Sequence, residues 1–315
     1  MINEFLKDVD KGLSSSPKFL SSKYFYDEIG DELFVQIMNL PEYYLTRAEF
    51  EIFSKKTQKL INSLEVNNNE HFQLIELGAG DGTKTKELLK ELVSQNFNFN
   101  YVPIDISQHT LDKLKNNLKK ELPQLSVTQQ QGDYFEVLSS FKKNDTKKVV
   151  LFLGSNIGNL NDELSAKFIQ QLSDSLQKGD YLLLGVDLIK SRDIVLPAYH
   201  DSQGITAKFN LNLLTRINKE LGGDFDISKF EHAPEYTEEE GIAKSNIVST
   251  HNQVVEIKKL NKSFVFEKGE TIHTEISRKY NDKTISKITK NTDFSIEKKI
   301  LDSNKYFADY ILKRN

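Results

Sequence analysis

The sequence contains no cysteine. That removes disulfides, thiolate nucleophiles and Cys-based zinc or iron–sulfur sites, and it fits a cytoplasmic protein. No apolar run approaches the length needed to span a bilayer. The start, Met1-Ile2-Asn3-Glu4-Phe5-Leu6-Lys7-Asp8, is a mixed-charge amphipathic stretch rather than a signal peptide. A strong charge of either sign is missing too. The net charge of −4 leaves no bulk electrostatic footprint for nucleic acid, and the pairs Lys258-Lys259 and Lys298-Lys299 read as solvated faces. Internal repeats and low-complexity linkers are absent. What remains is an ordinary globular balance, 38% hydrophobic and 28% charged over 315 residues, enough for one large domain or two modest ones with a substantial core.

The chain is organised around Phe72-Gln73-Leu74-Ile75-Glu76-Leu77-Gly78-Ala79-Gly80-Asp81-Gly82. An apolar run stops in alternating glycines and a helical pattern follows from Thr83, which reads as a strand turning tightly into a helix. Glycine accepts positive φ and lets a ligand approach the backbone. The spacing departs from a dinucleotide fingerprint, which wants a glycine or alanine where Thr83 stands. Gly78-x-Gly80-x-Gly82, preceded by Glu76, looks instead like the first motif of S-adenosylmethionine (SAM)-dependent methyltransferases.

Strands at 72–77, 101–106, 125–129, 148–153 and 181–186 alternate with helices over 83–92, 108–121 and 161–177. This rhythm predicts right-handed βαβ units and a doubly wound, Rossmann-like α/β sheet. After Asp187 the rhythm breaks. A helix is expected over 206–220, then two or three antiparallel strands within 242–267 with turns at His251-Asn252 and Asn261-Lys262, then a helix near 281–291. The tail segments 297–301 and 306–312 have room for two strands completing the first sheet. The expected division is a discontinuous α+β substrate-binding domain of residues 1–58 and 190–279, and a SAM-binding methyltransferase domain of residues 59–189 and 280–315.

Ligands of an open parallel sheet bind at the carboxyl ends of its strands. Those ends carry Gly78, Gly80 and Gly82, then Asp105, then Asp133 and Tyr134, then Gly154-Ser155-Asn156-Ile157-Gly158-Asn159, then Asp187. An acid after the second strand can accept from both ribose hydroxyls, and one after the third can take an adenine amino group. Each acid alone could equally cap the following helix. Methyl transfer to nitrogen needs an unprotonated amine held in line with an activated methyl group, with water kept out. Hydroxyl and amide groups suit that task better than carboxylates, and Tyr43, Asn159 and Tyr199 fit it. Helix capping for Asn159 and core packing for the tyrosines are the alternatives.

Lys23-Tyr24-Phe25-Tyr26-Asp27, Leu33-Phe34 and Pro41-Glu42-Tyr43-Tyr44-Leu45-Thr46-Arg47 closely resemble the entry segment of the L-histidine N-alpha-methyltransferases of ergothioneine biosynthesis. Further matches are Glu76-Leu77-Gly78-Ala79-Gly80, Val102 to Ser107, Gly154 to Leu160, Ala198-Tyr199, Ile205 to Asn210 and Thr274 to Ser277. The resemblance runs from about Pro17 to the end. It implies a class I SAM-dependent methyltransferase that trimethylates the α-amino group of L-histidine, giving hercynine. By the same resemblance Tyr26, Gly78, Lys84, Asp105, Asp133 and Tyr134 hold the cofactor. Tyr43, Asn159 and Tyr199 hold the amino-acid end of the substrate and carry the chemistry, and Glu275 and Ser277 bind the imidazole. A carboxylate plus a hydroxyl can satisfy both ring nitrogens, and residues two apart on an extended stretch face the same side. One departure stands out: Ser245 falls where the family typically places a methionine beside the imidazole, which leaves a related amino acid or small amine as the alternative substrate. Direct transfer without a metal is expected, with a small molecule as partner, no nucleic acid or membrane partner, and a monomeric chain. A metal-dependent oxygenase or hydrolase would need His200-Asp201 or His273 with Glu275 as ligands, and no paired histidine spacing recurs.

Overall fold

The computed structural model describes residues 2–132, 134–141 and 145–315, except for the side chains of 139–141. The chain divides into two compact units, Met1–Tyr44 with Lys190–Ser277, and Leu45–Ile189 with Arg278–Asn315. Residues 45–58, which the sequence reading grouped with the other unit, belong here with the larger one. The helix Tyr44–Lys55 puts Ala48, Ile52 and Phe53 into the larger unit's core beside Leu74 and Val149.

The larger unit is built on an eight-stranded sheet. Phe72–Leu77 lies at its centre, parallel to Phe99–Asp105 on one side and to Lys147–Phe152 on the other. Tyr181–Asp187 continues the parallel order. The tail adds Phe307–Arg314 antiparallel to Tyr181–Asp187, and Phe294–Leu301 antiparallel to Phe307–Arg314 at the edge. The short strands Ser126–Val127 and Gln130–Gln131 pair with Phe99–Asp105 at the opposite edge. A doubly wound sheet with an antiparallel strand inserted next to its last parallel one is the class I methyltransferase arrangement.

The central strands are buried on both faces, which is why they read as unbroken apolar runs. Alternation sends Phe72 and Leu74 to one core layer and Ile75 and Leu77 to the other. Each such fully buried side chain contributes about 1.5–3 kcal/mol relative to exposure. The helices start on side-chain caps where the sequence offers them. Ser107 accepts from Thr110 N at 3.2 Å ahead of Gln108–Glu121, and Asn161 accepts from Leu164 N at 2.9 Å ahead of Asp162–Ser175. Asn281 forms a capping box with Thr284 ahead of Asp282–Thr289.

The smaller unit has its own five-stranded sheet, in which Ile242–Ser249 is flanked by Thr271–Arg278 on one side and by Phe230–His232 and Glu235–Thr237 on the other. The helix Ile205–Leu221 packs on it through Phe209, Leu213, Leu214 and Ile217, which share a core with Ile247 and Ile272. The region 242–267 holds three strands, within the two or three expected. Gln253–Ile257 and Lys262–Phe266 form a separate two-stranded hairpin, and Ile242–Ser249 pairs elsewhere. His251-Asn252 therefore joins two sheets rather than turning one hairpin. Among the described residues no helix is long and apolar enough to cross a membrane.

Candidate active site

In the larger unit the polar groups gather at the carboxyl ends of the parallel strands. Gly78, at φ +70, leaves the central strand in the left-handed region, and its N–H donates to Ile104 O at 2.8 Å. A Cβ at Gly78 would lie 2.8 Å from the Tyr134 hydroxyl and 3.7 Å from Asn156 Nδ2. Position 78 is therefore glycine for two reasons, backbone conformation and the approach of Tyr134. Gly80, at φ +53, has nothing within 4 Å of where a Cβ would sit, so the turn is open on that side. Tyr134 begins the helix Tyr134–Phe141 and meets Phe152 edge-on at 6.2 Å.

Asp105 ends its strand half-buried and accepts from Ser107 N at 2.9 Å through Oδ1. Ser107, not Asp105, caps the next helix. Asp133 lies outside the described residues. Asn159 is exposed at the end of the 3₁₀ turn Asn156–Asn159, while Asn161 caps the helix that follows, so Asn159 has no capping duty. Asp187 is a structural acid, fully buried and paired with the equally buried Lys279 at 2.8 Å.

Lys84 stands at the start of the helix Thr85–Ser94, and its ammonium is bound by Glu49. Glu49 in turn accepts from Gly154 N at 2.9 and 3.0 Å. Burial works against the Lys84 charge, but Glu49, Glu76 and Asp309 together outweigh it and raise the lysine's pKa. Beneath the glycine turn Glu76 is buried; it accepts from Thr85 Oγ1 at 2.6 Å and from the Tyr101 hydroxyl. Burial pushes its carboxyl up to about 7, against those two hydrogen bonds and the charge of Lys84. Sequence reasoning missed Glu49 and Glu76 as parts of this cluster.

In the smaller unit the chemistry-bearing residues stand among aromatic rings. Phe34 meets Tyr26 at 5.6 Å and Tyr43 at 6.4 Å, both edge-on. Phe209 packs against Phe34 at 5.9 Å and Tyr26 at 5.8 Å. Tyr26 is partly exposed as a residue, and its hydroxyl is pushed well above the usual range by burial and then by the charges of Glu275 and Asp31. That interaction places Glu275 in the field of Tyr26. Glu275 and Ser277 share the strand Thr271–Arg278, Glu275 half-buried and Ser277 buried. Next to them Thr274 donates to Asn210 Oδ1 at 3.0 Å and to Ser245 O at 2.9 Å, tying this strand to both the helix and Ile242–Ser249. Tyr199 is buried where the 3₁₀ turn Leu196–Ala198 ends, and the following Asp201 accepts from Ile205 N at 2.9 Å and Thr206 N at 2.7 Å, fixing the start of the long helix.

Two further features were not foreseen. His232 has neither ring nitrogen bonded and is held neutral, its pKa lowered to about 4 by burial and then by His200, against Asp201. Tyr44 accepts from Lys190 Nζ at 2.9 Å, and the same ammonium lies 4.5 Å over its ring. His273 Nδ1 is 2.6 Å from Asn246 Oδ1, and the described residues contain no group of three or more histidines and acids placed to hold a metal ion.

Residues 5–314 match the family described as histidine-specific methyltransferase, SAM-dependent. The histidine N-alpha-methyltransferase of Mycolicibacterium smegmatis is 35% identical over 279 residues, covering 89% of this chain and 85% of that protein. The ergothioneine biosynthesis protein 1 of Schizosaccharomyces pombe is 28% identical over 302 residues, covering 94% of this chain and 39% of that one. The L-tryptophan methyltransferase of Psilocybe serbica is 26% identical over 299 residues, covering 86% and 82%.

Proposed function

Since the chain belongs to the SAM-dependent histidine-specific methyltransferases, we propose that it transfers three methyl groups to the α-amino nitrogen of L-histidine, giving hercynine for ergothioneine biosynthesis. The observation that carries this reading is the pair Glu275 and Ser277 on one strand, with the Glu275 charge felt at Tyr26. An acid and a hydroxyl are the complement of an imidazole's two nitrogens.

SAM supplies a sulfonium-activated methyl group, so the transfer proposed is direct and needs neither a metal nor a covalent enzyme intermediate. The larger unit fits such a cofactor. Its turn is open at Gly80, and Tyr134 comes up to Gly78. Asp105 has one carboxylate oxygen engaged by its own turn, which leaves the other for ribose hydroxyls. By the family resemblance Tyr26, Gly78, Lys84 and Asp105 would hold the cofactor, with Asp133 and Tyr134 in the adenine role. Tyr43, Asn159 and Tyr199 would hold the amino-acid end and point the nitrogen lone pair at the methyl group. A neutral amide and phenols orient an amine without protonating it, and near-attack positioning supplies most of the acceleration such a reaction needs. Glu275 and Ser277 would anchor the ring at the far end. A cytoplasmic location fits the cysteine-free composition, and the reading takes the chain as a monomer.

Ser245 supports a second reading, a related amino acid as substrate. It is buried at 3% exposure, where a methionine would present a larger apolar surface. The test is calorimetry with L-histidine and its mono- and dimethylated forms in the presence of S-adenosylhomocysteine, followed by mass spectrometry of a turnover with SAM. Binding and a trimethylated product are expected. Cofactor binding without any response to histidine would discard histidine and leave the other amino acid.

A further inference from the structure

Asp309 is an acid in the middle of an apolar strand, Phe307–Arg314, and is fully buried. Neither of its carboxylate oxygens has a hydrogen-bond donor. It pairs in register with Gly185, and that glycine shows what else is there. A Cβ at Gly185 would lie 2.2 Å from Glu49 Oε1 and 3.1 Å from Asp309 Oδ1. Two buried carboxylates therefore meet over one glycine, at a position too narrow for a methyl group. Only one of them has donors. Glu49 takes the Gly154 N–H and the Lys84 ammonium, and Asp309 takes nothing.

Two carboxylates this close and this dry do not both stay ionised beside a single ammonium. Burial drives the Asp309 carboxyl well above its usual range, Glu49 drives it further, and Lys84 alone opposes. Around the pair the other titratable groups are Glu76 on the central strand and Tyr101, which donates to it. Glu76 has its own donors in Thr85 and Tyr101, so it is not competing for the same proton.

We propose that Asp309 carries a proton shared with Glu49, and that this acid pair is the positioning device for Lys84, binding its proton more tightly when an anionic ligand group engages Lys84 at the cofactor corner. The inference rests on the cofactor reading above. In the free protein the pair and Lys84 together are neutral: one proton, one carboxylate, one ammonium. When a ligand carboxylate draws on the Lys84 charge, the pair loses counter-charge and holds its one shared proton to higher pH, so binding takes up from solvent only the fraction of that proton which the free pair has already lost at the working pH. Nothing else is transferred. Asp309 is a positioning residue, since it acts on the ligand only through Lys84.

The linkage has a definite sign. Uptake on binding means that affinity falls as pH rises, by at most roughly tenfold per pH unit for one full proton. The experiment is calorimetry of the full-length protein with S-adenosylhomocysteine in phosphate and in Tris, over about pH 6 to 9. The two buffers differ in ionisation enthalpy, so proton uptake appears as a difference between their binding heats. Uptake reaching a large fraction of one proton somewhere in that range is expected. Asp309→Asn mimics the protonated acid and should abolish the uptake while keeping affinity at neutral pH within about threefold, whereas Glu76→Gln should retain it. Equal heats in both buffers at every pH overturn the proposal, as does uptake that survives in Asp309→Asn. Infrared spectroscopy of the ligand-free protein gives an independent reading, because a protonated buried carboxyl has its own C=O band. Absence of that band overturns the proposal even if Asp309→Asn fails to fold. No binding of S-adenosylhomocysteine at all overturns the cofactor reading and the proposal with it, a result distinct from binding without uptake.

Discussion

In the larger unit, charge is buried against charge. Glu49, Lys84, Glu76 and Asp309 lie under the strand ends within reach of one another's fields, and Lys279 with Asp187 repeats the theme along the same strand as Gly185. In the smaller unit Tyr26 and Tyr43 stand among aromatic rings, and Thr274, Asn210 and Ser245 form buried polar links next to Glu275. Charges in a low-dielectric network act on each other over several ångströms, so a change in the larger unit spreads through the cluster and varies with pH. A change in the smaller unit removes one contact or one piece of surface and stays local. The first arrangement suits a ligand whose charged groups are always the same. The second can be altered one residue at a time.

The largest effect should come from filling the glycine turn. Gly78→Val places a β-branched residue at φ +70 and puts a Cβ 2.8 Å from the Tyr134 hydroxyl. The backbone conformation alone costs about 1–3 kcal/mol. Binding of S-adenosylhomocysteine, followed by calorimetry, should weaken by about 100-fold or more, with the smaller unit unaffected. Unchanged affinity would break the assignment of this turn to the cofactor.

Next comes a crossed pair of substitutions. Glu275→Ala should remove a charge-assisted hydrogen bond worth about 1.5–3 kcal/mol and weaken histidine binding accordingly, leaving S-adenosylhomocysteine affinity as it was. Asp105→Ala should do the reverse. Titrating each variant with both ligands checks the comparison directly, and a variant that weakened both equally would show that the two units do not divide the work.

These assignments were legible to different degrees, and the reason is physical. Strands buried on both faces appear as apolar runs, so Phe72–Leu77 and Tyr181–Asp187 stand out in the sequence, and the glycine turn marks its own place. The helix Gln108–Glu121 matches its sequence pattern because Leu111, Leu114 and Leu118 recur at helical spacing. Three-residue strands such as Phe230–His232 have too few positions to show a period. The partners of Ile242–Ser249 were not legible, because a turn in sequence does not say which sheet each arm joins. Gly78 and Asp105, proposed as cofactor contacts, follow from the strand-end rule, whereas Lys84 follows only from the family resemblance. Glu49 follows from neither, since its link to Lys84 and Asp309 exists only once helix and sheet have packed. Asp309 did leave a trace, an acid inside Phe307-Ala308-Asp309-Tyr310-Ile311-Leu312, where a partner or a proton is required.

A smaller effect is expected on stability in acid, and it comes from a titratable group in the smaller unit. His232 titrates at about 4 in the folded protein against about 6.5 unfolded. The unfolded chain therefore binds the extra proton first, and stability falls as pH drops from about 6.5 through about 4, by on the order of 2 kcal/mol. Above that window the term vanishes. His232→Gln should flatten this part of the stability–pH curve measured by urea denaturation. A curve of the same steepness in the variant would shift the origin of the acid sensitivity elsewhere.

The smallest expected change is also the most specific. Ser245 is buried on Ile242–Ser249, two residues from the core residue Ile247, and its carbonyl takes the Thr274 hydroxyl. The side chain is not needed for that bond, so Ser245→Met keeps the backbone link and adds apolar volume. If that volume meets only packed protein, overpacking lowers stability by about 1–3 kcal/mol and histidine affinity does not improve. If it meets the substrate's ring, each additional buried methylene contributes about 0.8 kcal/mol and histidine binds several-fold more tightly at little cost in stability. The second outcome is expected, because Thr274 joins Ser245 to the strand that carries Glu275 and Ser277. Measuring melting temperature and histidine affinity on the same variant separates the two, and a loss in both would remove Ser245 from the substrate's surroundings.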